Sequence, residues 1–468
     1  VQIPGGLSAH AERVVELRRV GDGAAVPGSP VVFAPEPLVG AAARRALEDA
    51  VAARVGAASE GDAAVIDALV AAIAERLPEP GPHHAALLAR HGVAVEMPAS
   101  GRPRALVIDE SIPDPGRDAG SSAILSHMRA LRRLGFDVEI VPAHDLAADA
   151  GAVARMAAEG FAAWTAPWVG SVEEVLRQGA FEVVYIHRLS PMLRYAGLVR
   201  RWCPAARLVY CVADLHHLRA EREAALVTGM AGNAATEELR EAELAAIRAA
   251  DAPITHSGPE QARLAALLPG VRVHVVPWDV ALPPPVGPAS RRRGVAFVGS
   301  FGHAPNRDAA WELLEAVMPR VWAQDASIPL LLAGSSMPAE LAEAARGARG
   351  AVEVLGRVPV LADLWGRALV SAAPLRFGAG IKGKVLDSLA AGIPCLCTPI
   401  AAEGLDFPAP LAPLVQHGAE GMAAEILRLH GDPALVDRMG AAGRDFIAAH
   451  HAAAIIDAAL APALGLIA

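Results

Sequence analysis

Glycines, lysines and a carboxylate crowd into Pro374–Thr398, PLRFGAGIKGKVLDSLAAGIPCLCT. Gly378, Gly380 and Gly383 interleave with Lys382 and Lys384 in a glycine-rich turn, with Arg376 just before it. The next residues, KVLDSLAA, have helical spacing and stop at Gly392, a C′ residue, with Pro394 beyond. CLCT reads as a short buried strand. A loop feeding a helix N-terminus gathers free backbone N–H groups, the positive end of the helix dipole and two ammonium groups, a combination suited to phosphate or diphosphate. Val385, Leu386 and Leu389 fall on the sheet side of this helix, and Lys384 and Asp387 share the other. A cation near the loop and a carboxylate one turn deeper can hold the phosphate and ribose of one nucleotide. The competing reading is a solvated polar face behind a loop that merely turns.

The chain of 468 residues is long enough for two or three domains. Its net charge of −9, without a large basic block, and its 4% aromatic content argue against nucleic acid as the main ligand. No apolar run reaches the ~18 residues of a membrane span, and the first residues lack the order of a secretion signal. Cys203, Cys211, Cys395 and Cys397 read as small buried hydrophobes of a reducing, cytoplasmic compartment. Cys395 and Cys397 alternate on one strand face and lack the second pair of a zinc site. No metal site is expected.

Residues 1–100 are Ala-rich and read as an accessory, mostly helical segment, with helical stretches near Leu38–Val55 and Asp62–Glu75. Strand–helix alternation begins at Arg104: ALVIDE, DVEIVPA, FEVVYIH, RLVYCVAD and APITHS are apolar strands with helices between them, a mostly parallel sheet. Such sheets bind ligands beyond the carboxyl ends of their strands, where Asp109, His187, Asp214 and His256 lie. The Pro-rich stretch PWDVALPPPVGPAS is a linker. A second series follows: GVAFVGS, PLLLAGS, VEVLGRV, ALVSAAPL and IPCLCT. The boundaries drawn are 1–100, 101–285, 291–445 and a C-terminal helix over 446–468. The expected fold is α/β, two Rossmann-like domains facing across a cleft, with an N-terminal helical extension.

FVGSFGHAPNRDAA, LLLAGS, VEVLGRVPVLADLW and PLRFGAGIKGKVLDSLAAGIPCLCTPIAAEGL together resemble the donor domain of GT-B glycosyltransferases of family 4, the group 1 glycosyl transferases. The match spans roughly Arg292–Asp445. ALVIDESIPDPGRDAGS, VVYIHRLSPM and LVYCVADLHHLRAERE resemble the acceptor domain less specifically. The resemblance implies that Gly299, Ser300 and Phe301 form a loop near the diphosphate, with Asn306 a secondary donor contact. Arg357 and Val358 line the base pocket, largely through backbone atoms. Gly380, Ile381, Lys382, Gly383 and Lys384 cradle the diphosphate, and Asp387 stands where relatives carry a ribose-binding glutamate. Gly120, beside Ser121, corresponds to the glycine of the acceptor-side loop, and His216 to the histidine near the sugar, with Asp214 and Arg219 beside it. His187 is a second-tier acceptor-side candidate.

Two departures matter. Ala379 stands where the family commonly has an acid, and the usual Arg and Lys are absent from GSFGHAPN; Lys382 and Lys384 can supply that charge. No Asp-x-Asp occurs, in keeping with metal-independent transfer. The function implied is transfer of a sugar from a nucleoside-diphosphate sugar to a hydroxyl of a glycan, lipid-linked or protein acceptor, as in polysaccharide biosynthesis. Retention of configuration, no cofactor and no nucleic-acid partner belong to that expectation. Were the enzyme inverting, His216 or Asp214 would be the first base candidates. The alternatives are a nucleotide-sugar epimerase or hydrolase, and a degenerate binding scaffold. Asn306 and Asp308 read first as helix N-caps. Arg376 reads equally as a phosphate partner or a loop brace, and Trp164, Trp168 and Trp202 read first as core. Arg194, Arg200, Arg201 and Arg207 read first as a solvated helix face; a basic patch for peripheral contact with the inner membrane face is the second reading.

Overall fold

The computed structural model describes residues 13–15, 31–33, 101–166, 169–230 and 232–466. Within the first hundred residues, β1 (Arg13–Val15) pairs antiparallel with β2 (Val31–Phe33). The helical stretches expected near Leu38–Val55 and Asp62–Glu75 lie outside the described residues, as does Trp168. The described residues form two compact units. One holds the described residues up to Ile112 with Gly135–Ile186 and Ser190–Leu208; the other holds Pro113–Leu134, His187–Leu189 and the described residues from Val209 onward.

The apolar runs become strands of two sheets. The first comprises β3 (Arg104–Asp109), β4 (Asp137–Pro142), β5 (Ala162–Ala163), β6 (Val183–His187), β7 (Arg207–Cys211), β8 (Ala252–Thr255) and β9 (His274–Val275). Its order is β5-β4-β3-β6-β7-β8-β9. The second comprises β10 (Gly294–Val298), β11 (Leu330–Ala333), β12 (Val352–Gly356), β13 (Ala368–Ala373) and β14 (Cys395–Cys397), in the order β12-β11-β10-β13-β14. Its registered pairs are all parallel. All residues of β11 and β13 are buried, as continuous apolar runs require when helices cover both faces of a sheet. The sequence-based expectation of a doubly wound α/β architecture therefore holds for both sheets.

In the second sheet the chain winds outward from β10 to β11 and β12, then returns to β13. The switch point lies between β10 and β13, where loops after the strand ends diverge and leave a crevice for a ligand. The helices needed below are α1 (Ala119–Arg133), α2 (His216–Thr228), α3 (Gly258–Leu267), α4 (Ala304–Glu312) and α5 (Gly383–Ala390). Val385, Leu386 and Leu389 of α5 are fully buried in the core of the second sheet. Each contributes about 1.5–3 kcal/mol relative to an exposed side chain. Gly392 follows α5 in the left-handed region, φ 75°, the C′ geometry its position suggested.

The stretch NRDAAWELLEAVMPRVWAQ holds most of α4, a π-helical turn over Leu313–Val317 and a short helix Met318–Trp322. Pro319 supplies no N–H to the preceding turn, and a π segment is a common accommodation for an interrupted ladder. Helices at Gly418–Gly431, Pro433–His450 and Ala453–Leu460 make the C-terminal stretch; the helix drawn over 446–468 is the end of the second of these and the third, with a break between them. Among the described residues, no helix is long and apolar enough to cross a membrane.

Candidate functional site

The loop before α5 is held in two ways. Gly378 and Gly380 adopt positive φ, 145° and 67°, which a side chain would strain. Gly380 donates its N–H to Glu260 Oε1 at 2.8 Å, and the Lys382 ammonium turns back onto the carbonyls of Ala379, at 3.1 Å, and Gly380. α5 then starts at Gly383 with no side-chain cap, so its first N–H groups are not consumed by a capping side chain. Lys384 points to β10: its ammonium donates to Asn306 Oδ1 and lies 4.4 Å from the centroid of the Phe297 ring. Asn306 donates in turn to the Ser300 carbonyl at 2.8 Å. A Cβ added to Gly299 would lie 2.9 Å from the Lys384 ammonium, so the glycine leaves the space this cation fills. The loop after β10 and the helix after β13 thus meet at the switch point.

Electrostatics here favour an incoming anion. Burial pushes the Lys384 ammonium down to about 7 and Lys382 to about 8. His303, the residue before α4, is pushed to about 4 by burial and by the nearby charge of Arg219, with Lys384 and Lys382 adding to it. Asp387 has an exposed side yet enough protein around it to push its carboxyl up to about 6.

Within the same unit, α2 brings Asp214 and His216 to this loop. A Cβ on Gly380 would stand 3.0 Å from the Asp214 Cβ, so glycine permits the approach. Asp214 pairs with Arg219 and lies 3.3 Å from His216 Nε2. Burial opposes the Asp214 charge, but the His216 hydrogen bond and Arg219 prevail and hold its pKa below the usual range; His216 is raised by the same pairing against its own burial. The start of α2 rests on Glu243, which accepts the N–H groups of His216 at 2.8 Å and His217 at 3.0 Å. Glu260 accepts from Leu215 N–H, Thr255 Oγ1 and Gly380 N–H, joining α2, α3 and the glycine loop. At α1, Asp118 caps Ser121 N–H at 2.7 Å and receives Arg188 at 2.9 Å. A Cβ on Gly120 would meet that Arg188 guanidinium at 2.6 Å. Arg222 spans the Gly378 carbonyl and the Glu403 carboxylate.

The structure therefore brings together Gly299, Ser300, Asn306, Gly378, Gly380, Ile381, Lys382, Gly383, Lys384, Asp214 and His216. Several expectations change. Phe301 is fully buried against Phe297, and its N–H donates to Ser335, so its side chain serves the core. Asn306 and Asp308 are not caps, because α4 begins earlier with His303 as N-cap. Arg376 grips Asp308 in a two-armed ion pair and lies 3.7 Å from Glu312, which makes it a brace. Ser121 is wholly buried and accepts from Arg117. His187 is wholly buried beside Cys211 and His256, so it presents nothing to an acceptor. The Arg357 side chain is 63% exposed and lies 3.7 Å from Asp114; Val358 packs partly on the second sheet's smaller core. Trp164 is buried on Glu139, and Arg177 and Arg201 stack on Trp202. All four cysteines are buried and free.

Glu243, Glu260, Arg188, Arg222 and His303 were missed. HSGPE reads as a capping box ending in Glu260, and its Ser257 does cap α3. The glutamate, however, turns to the loop 120 residues away, which no local signal reports.

Residues 292–432 match the family model described as "Glycosyl transferases group 1". No curated protein sequence matches the chain. Among solved structures, TarM of S. aureus, in complex with fondaparinux, α-GlcNAc-glycerol and UDP, is 12% identical with a TM-score of 0.50, over 60% of this chain and 55% of TarM. The chain thus spans about half of that protein. Sucrose-phosphate synthase from Thermosynechococcus elongatus is 17% identical with a TM-score of 0.58, over 77% of this chain and 98% of its own. Anabaena HepE, solved with UDP-glucose, is 14% identical with a TM-score of 0.57, over 78% of this chain and all of HepE (100%). At these identities the likeness is one of fold. The fold is that of the GT-B glycosyltransferases, and the segment 292–432 matches the model of their group 1, the segment whose motifs carried the resemblance.

Proposed function

We propose that this chain transfers a sugar from a nucleoside-diphosphate sugar to a hydroxyl of an acceptor, with retention of configuration and without a metal at the donor site. The observation that carries the reading is the meeting of Lys384, Asn306 and Gly299 at the β10/β13 switch point, where α5 also presents its N-terminus.

In this reading an acceptor oxygen forms a bond to the anomeric carbon as the bond from that carbon to the diphosphate oxygen breaks. The electron pair leaves with the diphosphate, and the acceptor proton passes to a departing phosphate oxygen. The developing charge is met by Lys384 and by the N-terminal N–H groups of α5, already oriented in a partly dry site. Asp387 accepts from the ribose hydroxyls. Asp214, with Arg219 and His216, lies on the sugar side of the glycine loop, held by Glu243 and Glu260. The group 1 match supports the donor class, and the UDP complexes of TarM and HepE make uridine nucleotides the first to try. The fondaparinux and α-GlcNAc-glycerol bound to TarM favour a glycan acceptor over a lipid-linked or protein one.

The test is thermal stabilisation by UDP-, GDP- and ADP-sugars with and without EDTA, followed by product analysis with a panel of glycans. One base class stabilising the protein regardless of EDTA, and a new glycosidic linkage with the donor's anomeric configuration, are expected. Free sugar alone would mark a hydrolase, a changed sugar an epimerase, and no nucleotide response would overturn the donor site itself.

A further inference from the structure

A second group of chemically active side chains lies away from the donor loop. His187 ends β6, Cys211 ends β7 and His256 follows β8, and one ligand atom from each lies within 4.8 Å of the other two. His187 and Cys211 are wholly buried and His256 is 6% exposed. We propose that Cys211, His187 and His256 bind one Zn2+ ion that ties the ends of these neighbouring strands together.

The donor set is suited to that ion. Zinc takes thiolate and imidazole at about 2.0–2.3 Å in tetrahedral geometry, which places pairs of ligand atoms roughly 3.5 Å apart. Cys211 Sγ and His256 Nε2 stand 3.5 Å apart. His256 Nδ1 lies 2.8 Å from the Val276 carbonyl, so Nδ1 carries the proton and Nε2 turns its lone pair to the sulfur. A ligand imidazole braced by a carbonyl through its other nitrogen is a recurrent outer-shell feature of zinc sites. His127 of α1 is a third imidazole nearby: its Nε2 meets the Pro277 carbonyl at 2.8 Å, and its ring centroid is 5.3 Å from that of His256. Cys211, His187 and His256 supply three of the four positions of a tetrahedral zinc. A bare network of thiol and imidazoles is the simpler alternative, and metal binding itself distinguishes the two.

The ion would sit behind the donor-side machinery. Arg188 follows His187, Ser257, the cap of α3, follows His256, and Asp214 comes three residues after Cys211. No metal was expected from the sequence, where Cys395 and Cys397 lack the second pair of a zinc site; these three ligands come from the ends of three separate strands, with spacings that match no compact zinc motif.

The experiment uses the full chain, purified without a metal-affinity tag and measured for metal content, then stripped with a chelator and titrated with Zn2+ and Co2+. About one zinc per chain is expected. The cobalt form should show a sulfur-to-cobalt charge-transfer band and the intense visible bands of a tetrahedral ion. Cys211→Ser should abolish the charge-transfer band, His256→Ala should weaken Zn2+ binding at least tenfold, and a Cys395→Ser/Cys397→Ser double variant should change neither. Failure of the full chain to bind either ion, or a charge-transfer band that survives in folded Cys211→Ser, overturns the proposal. If the single variants unfold, wild type settles the matter: zinc should raise and chelation lower its melting temperature reversibly, and indifference to both overturns the site.

Discussion

Replacing Lys384 with methionine removes one charge and keeps most of the side-chain volume. A hydrogen bond to a charged group contributes about 1.5–3 kcal/mol. At about 1.4 kcal/mol per tenfold, Lys384→Met should weaken a UDP-sugar by about 10–150-fold while leaving uridine unaffected. The depressed pKa makes the prediction sharper. Burial holds Lys384 at about 7 in the free protein, and a bound diphosphate raises that value. Its contribution to binding is therefore complete below pH 7 and is lost as pH rises from about 7 through the pKa of the complex. The UDP-sugar is the right ligand, because its esterified phosphates release no proton in this range. Affinity measured by calorimetry should differ most between wild type and variant near pH 6 and converge near pH 9. Lys382, at about 8, leaves a second, smaller decline common to both proteins. Stability has the opposite sign. A lysine with a depressed folded-state pKa destabilises the native state at neutral pH, so Lys384→Met should melt no lower than wild type. A ratio of affinities constant from pH 6 to 9, or equal loss for uridine, would refute a direct charge contact with phosphate.

Four further outcomes follow. Asp387→Asn should raise the melting temperature at pH 7.5, since a carboxyl raised to about 6 destabilises the folded state above the unfolded value of about 4; it should weaken UDP and uridine alike, and a loss confined to UDP would sink the ribose assignment. Gly334→Ala places a Cβ 1.8 Å from the Gly299 carbonyl at a φ of 156°, and backbone cannot step aside as a flexible side chain can; it should lower stability by about 1–3 kcal/mol in urea unfolding and weaken the donor, and normal stability would show the loop to be pliant. The Asp214–His216 pair should stabilise fully between about pH 4 and pH 6.5 and lose its effect as pH rises through the raised His216 pKa or falls through the lowered Asp214 pKa; Asp214→Asn should flatten that part of the stability profile, and an unchanged profile would remove the coupling. Arg222→Met should release the Gly378 carbonyl and Glu403 and raise the donor KM with little change in melting temperature; unaltered kinetics would make the contact incidental.

The sequence was most legible where one local run held both the pattern and the chemistry. α5 announces its buried face through Val385, Leu386 and Leu389, its end through Gly392 and its polar face through Lys384 and Asp387, because helix period, cap and dipole act over a few residues. The strands were equally plain, since parallel strands covered on both faces are continuous apolar runs. Partners set by tertiary packing were not legible. Asn306 looks like a cap in the sequence, yet α4 starts before it, and its amide joins Lys384 to the Ser300 carbonyl. Phe301 shares the loop after β10 with Gly299, but one residue beyond Ser300 the chain turns its ring inward. His187 was placed correctly at a strand end, and only the neighbouring strands show that its company there is Cys211 and His256.

Glu260 shows why such residues matter to the chemistry. A glutamate in the first turn of α3 favours the dipole there, and it could have remained exposed. Instead it is buried, its pKa raised by that burial, and it accepts hydrogen bonds from Leu215, Thr255 and Gly380. These contacts hold the start of α2 against the glycine loop, so Asp214 and the loop's N–H groups keep one geometry. A loop with two positive-φ glycines has too much freedom to do this alone. The positions that a family pattern records are those that touch the ligand. In this chain the loop and helix start that carry those positions are held by buried carboxylates whose partners lie in other segments of the sequence.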